Sequence, residues 1–128
     1  MHAAGTFDVK LAPQPPYNTD DPMMGRRSID KQFHGDLDAT SRGEMLSVGT
    51  AVQGSAAYVA IERVTGTLAG RRGTFALAHV GLMARGTPSL SVVVVPDSGT
   101  DELTGLAGTM TIVVEPGKHS YELEYTLA

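Results

Sequence analysis

The stretch His119-Ser120-Tyr121-Glu122-Leu123-Glu124-Tyr125-Thr126-Leu127 decides the fold. His119, Tyr121, Leu123, Tyr125 and Leu127 hold every second place, with Ser120, Glu122, Glu124 and Thr126 between them. Side chains two apart share one face of a strand, so this pattern describes a strand with one face buried and one wet. Glu115-Pro116-Gly117-Lys118, just before it, has the residues of a tight turn. Reading backwards, the same alternation returns in seven more segments.

Thr109–Val114 and Leu90–Val95 are predicted strands. The run Val92-Val93-Val94-Val95 is apolar on both faces, and its β-branched side chains suit a pleated strand better than a helix. Thr74–Met83 and Tyr58–Leu68 flank Gly70-Arg71-Arg72-Gly73, a hairpin signal. Glu44–Val52 is a further strand, preceded by the punctuation Gly35-Asp36 and Ser41-Arg42-Gly43. Ser28–Leu37 places Ile29, Phe33 and Leu37 on one side, and Phe7, Val9 and Leu11 open the chain in the same way. Pro13-Gln14-Pro15-Pro16 then stops the first strand, because proline has no N–H for a ladder.

Two connections are long, Pro13–Met24 and Asp97–Gly108. The others are too short for the crossovers that parallel strands need. The expectation is therefore an all-β chain whose eight antiparallel strands close into a barrel, one domain over residues 1–128. A sandwich is the alternative. Closure is favoured because it removes both edge strands.

Composition narrows the function classes. With 10 Lys and Arg against 14 Asp and Glu, the net charge is −4, which argues against nucleic acid as a partner. Arg26-Arg27 and Arg71-Arg72 lie beside glycines and read as solvated turns. There is no Cys, so disulfides and thiolate chemistry are excluded. No apolar run approaches a membrane span and the first residues carry no secretory pattern, so a cytoplasmic location without membrane association is expected.

Four segments carry a family likeness: Lys31-Gln32-Phe33-His34-Gly35-Asp36-Leu37, Ser41-Arg42-Gly43-Glu44-Met45-Leu46, the stretch from Tyr58 through Glu62 to Arg71, and Val94-Val95-Pro96-Asp97-Ser98-Gly99-Thr100. In this order they resemble the bacterial family called domain of unknown function 3224. The resemblance implies a barrel of the allene oxide cyclase type, related to lipocalin-like folds. It also implies a polar group or two, including a buried Glu, inside an apolar cavity. The chain departs from the family pattern at Ala78-His79, where Gln-His is expected.

Alternation assigns the interior. Phe75, Leu77, His79, Gly81 and Met83 share one face of their strand, and His119, Tyr121, Leu123, Tyr125 and Leu127 share another. The Tyr58–Glu62 face of the fourth strand is taken as inward, which leaves Arg63 outside. Glu62 and His79 then become neighbours in an apolar interior. They form a candidate acid–base pair or a satisfied core network, and a carboxylate there must either rise in pKa or find a partner. Tyr58, Phe75, Leu77, Met83, Tyr121 and Tyr125 are the candidate ligand-binding wall. His34-x-Asp36 alone does not make a metal site, Asp97-Ser98-Gly99 lacks the context of an activated serine, and neither metal nor cofactor is expected.

Three functions follow. The first is a module binding a small apolar or amphipathic molecule inside the barrel, reached past the Pro13–Met24 and Asp97–Gly108 loops. The second is a cofactor-independent cyclase or isomerase using Glu62 and His79. The third is a structural homo-oligomer with a filled barrel, a dimer being favoured because the sixth strand is apolar on both faces.

Overall fold

Alternating side chains need a partner strand on each side and a common interior, and a closed meander meets both needs. The computed structural model describes residues 1–128. Its strands are β1 (His2–Gln14), β2 (Met24–Gly35), β3 (Leu37–Gly49), β4 (Ala56–Leu68), β5 (Arg71–Ala84), β6 (Thr87–Val94), β7 (Ala107–Glu115) and β8 (Lys118–Thr126). Each runs antiparallel to the one before it, and β8 pairs with β1 to close the barrel. The ladders are long from β2 to β5: β4 and β5 stay paired from Ala56↔Met83 to Leu68↔Arg71. The join between β6 and β7 is short, with only Val92↔Met110 and Val93↔Thr109 in register.

Local chemistry sets the turns. Ala69-Gly70 and Arg85-Gly86 both have positive φ at each residue, the geometry of tight hairpins whose twist matches their strands. Gly35-Asp36, Ala69-Gly70 and the β6–β7 connection lie at one end of the barrel. The β1–β2 loop, Thr50–Ser55, Arg85-Gly86 and Pro116-Gly117 lie at the other.

The first end is filled. Phe7, Phe33, Leu37, Leu68, Phe75, Leu77 and Leu123 pack there as one cluster. The β6–β7 connection makes a short 3-10 turn over Asp101–Leu103 and presses Leu103 and Leu106, each 1% exposed, against that cluster. Tyr121 secures the same end. Its hydroxyl accepts from the Leu37 N–H at 2.9 Å and donates to the His34 carbonyl at 2.9 Å, so it holds the Gly35-Asp36 turn.

Several expectations are corrected. The Asp97–Gly108 connection plugs the packed end, opposite the Pro13–Met24 loop, so the two do not flank one opening. Strand β3 begins at Leu37, not Glu44, and Ser41-Arg42-Gly43 lies within it. The reason is crowding: a Cβ on Gly43 would meet the Ile61 carbonyl at 2.0 Å and Glu62 Cα at 2.6 Å, so glycine serves a close strand approach, not a turn. The expectation that β6 is apolar on both faces holds: Val92 and Val94 point inward and are buried, while Val93 is exposed on the outer wall. Further exposed apolar residues of that wall lie on β3 to β5, as Leu46, Val59, Ile61, Val80 and Leu82.

Since Leu103 seals the packed end, Leu103→Ala should lower stability by about 2–5 kcal/mol, the usual cost of a large core truncation. Urea unfolding would measure it, and an unchanged midpoint would contradict the plug.

Candidate functional site

Four polar side chains meet inside the barrel, one from each of four consecutive strands: Lys31 on β2, Ser41 on β3, Glu62 on β4 and His79 on β5. Each shares the face of apolar neighbours two residues away, so alternation alone turns all four inward. Glu62 is fully buried. Its Oε2 accepts from Lys31 Nζ at 2.9 Å and from His79 Nε2 at 2.6 Å, and its Oε1 accepts from the Ser41 hydroxyl at 2.7 Å. The Lys31 ammonium also sits over the Phe7 ring, 4.9 Å from its centroid.

The electrostatics follow from these contacts. Burial pushes the Glu62 carboxyl up. The His79 hydrogen bond and the Lys31 charge outweigh burial and bring it to about 2. Glu62 is therefore ionised at neutral pH. An ionised carboxylate accepts, so the proton shared with His79 sits on Nε2. The other ring nitrogen, Nδ1, has no hydrogen-bond partner in the protein. Since no fully buried side-chain nitrogen or oxygen is unpaired, Nδ1 keeps access to solvent-sized space.

Above this group the barrel is open. A cavity of about 460 Å³ lies against the inner wall of β2 to β6, lined by Arg27, Met45, Ser47, Tyr58, Met83 and Leu90 among fourteen residues. Tyr58 leans across β5, where a Cβ on Gly81 would lie 2.2 Å from its ring, so Gly81 makes the room. Burial and then the Glu62 charge push the Tyr58 phenol up, which keeps it protonated. Tyr58 and Gly81 pair in register and sit one inward step from Ala60 and His79.

Glu62 and His79 are thus brought together. Of the candidate wall, Tyr58 and Met83 line the cavity. Phe75, Leu77, Tyr121 and Tyr125 are buried in the packed cluster and do not line this cavity. His34 and Asp36 have separate partners: His34 is 3.0 Å from Asp8, and Asp36 accepts from the Ala4 N–H at 2.9 Å.

Lys31 and Ser41 are the residues that sequence reasoning missed. The signal for Lys31 was present, because it falls between Ile29 and Phe33 on the apolar side of its strand. Composition argues against an inward Lys. Alternation argues for one, and alternation is the stronger rule here because Glu62 supplies the counter-charge.

Two outcomes are expected. Glu62→Gln leaves the Lys31 charge buried and should cost about 3–5 kcal/mol, while Lys31→Met combined with Glu62→Gln should recover much of it. A carboxyl lowered on folding contributes stability above its ordinary value, and that stability is lost as pH falls toward the folded value. Unfolding free energy should thus drop between about pH 4.5 and about pH 2. The double variant should lack this part of the drop in a urea series across pH.

Comparison with known proteins adds lineage to this geometry. No curated protein matches the chain. It is similar to a crystal structure of a protein with unknown function from the DUF3224 family of Shewanella oneidensis MR-1. That likeness has 51% identity and a TM-score of 0.94, and it covers 100% of this chain and 97% of that one. The family described as "Protein of unknown function (DUF3224)" matches residues 3–125. With nearly its whole length matched, the chain belongs to the DUF3224 family.

Proposed function

We propose that the protein binds one small apolar or amphipathic molecule in the open half of its barrel. One observation carries this reading: the interior is packed at the Leu103 end and left open at the other, where apolar side chains line about 460 Å³. That volume falls within the ordinary range of small-ligand sites. The wall is mostly aliphatic and thioether, with Met45 and Met83 able to adapt to irregular shapes. The protonated Tyr58 phenol supplies a directional polar contact.

The test is thermal shift across a panel of lipid-like and aromatic compounds. Binding at a hundredfold excess over Kd adds about 2.7 kcal/mol of stability, enough to see. Ala56→Trp places a large side chain in the cavity wall. It should remove the ligand shift while leaving the melting temperature of the free protein nearly unchanged. A panel that stabilises nothing contradicts the reading.

A second reading is a cofactor-independent isomerase of the allene oxide cyclase type. The observation that favours it is the imidazole. The Glu62 carboxylate holds a proton on Nε2 and leaves Nδ1 without a hydrogen-bond partner, one inward step from Tyr58. On this reading Nδ1 exchanges a proton with a bound ligand. If so, a ligand found in the panel should take up deuterium from heavy water at a carbon position. His79→Gln should stop that exchange while the thermal shift persists. Exchange unaltered by His79→Gln contradicts this reading.

A further inference from the structure

We infer that the cavity selects an organic anion, with Arg27 reading its charge; this deepens the binding reading above and rests on it. Among the fourteen lining residues Arg27 is the one charged side chain. It lies on the inward face of β2, in step with Ile29, Lys31 and Phe33. Its neighbour Arg26 points the other way and is held by Glu44 at 2.6 Å. Arg27 has no such partner: it makes no ion pair, and its guanidinium donates no hydrogen bond within the protein.

The charge balance inside the barrel sharpens the point. Lys31 and Glu62 cancel each other at 2.9 Å in the floor of the open half. The inward positions of β1 and β3 to β8 around that half bring no further Lys, Arg or Asp. Arg27 is left as the unpaired charge at the solvent-exposed rim of an apolar wall. Glu44 lies on the outer face with Arg26, and Asp21 accepts from the Met23 N–H at 2.8 Å.

A planar guanidinium with five donors matches a carboxylate in a two-point contact. The wall running from Arg27 past Met45 and Tyr58 to Met83 and Leu90 then takes an apolar body. The ligand class is an organic acid with its anionic group at the mouth and its hydrocarbon part over Tyr58.

Calorimetric titration with decanoate, decanol and decyltrimethylammonium, each below its micelle concentration, tests this directly. Decanoate should bind native protein about tenfold more tightly than decanol, the scale of one hydrogen-bonded charge pair. The ammonium should bind most weakly. In Arg27→Gln, decanoate should lose its advantage and bind no more tightly than decanol binds the same variant. Equal binding of decanoate and decanol to native protein overturns the anion proposal and leaves the cavity reading standing. So does a decanoate preference that survives Arg27→Gln. Failure of all three probes to bind overturns both.

Discussion

The Glu62 carboxylate is the constraint around which this barrel is arranged. An ionised carboxylate removed from water must recover several kcal/mol of lost solvation from its neighbours. Here three strands supply the recovery: Lys31 from β2, Ser41 from β3 and His79 from β5. Each donor lies at an inward place of its own strand, so the set assembles only in one register. A slip of one residue in any of these ladders would turn a donor outward and strand the charge. Gly43 belongs to the same arrangement, since any side chain there would collide with the backbone that carries Glu62.

Filling follows from which residues occupy the two ends. Toward the packed end, the inward places hold Phe7, Phe33, Phe75, Leu68 and Leu123, and the β6–β7 connection adds Leu103 and Leu106. Toward the open end the small residues Ser47, Gly49, Ala56 and Gly81 stand among Met45, Tyr58, Met83 and Leu90, and space is left between them. An eight-stranded barrel is just wide enough to be closed by side chains or to hold one small molecule. This chain does the first in its lower half and leaves space for the second in its upper half, with the polar group at the division.

Much of this was legible in the sequence. Strict alternation in His119–Leu127 and Phe75–Met83, with short turns, specified antiparallel neighbours and the inward faces, and both agree with the closed eight-stranded meander. Glu62 and His79 could be paired because their strands are adjacent and their parity matches. What alternation cannot encode is height along the barrel. Tyr121 and Tyr58 both point inward, yet one holds a turn in the packed end and the other lines the cavity. That difference is set by register and by the path of the β6–β7 connection, which composition does not reveal. Ser41-Arg42-Gly43 failed for another reason. Small residues mark turns and also close strand contacts, and only the partner strand distinguishes the two.

The polar group is hard to explain by stability alone. Replacing a buried ion pair with well-packed apolar residues is often neutral or stabilising, so a floor of Leu and Met could hold the barrel as well. What an apolar floor could not supply is an imidazole held through Nε2 with its other nitrogen unpaired, beside a phenol whose pKa is raised by burial and then by the Glu62 charge. Those two groups lie within one inward step of each other, and Tyr58 lines the open half of the barrel. Lys31 makes the arrangement affordable, because its charge cancels that of Glu62 and allows the carboxylate to orient His79 without lowering the solvation of the whole interior. The ion pair thus fixes the register of β2 to β5 and orients His79 through the same carboxylate.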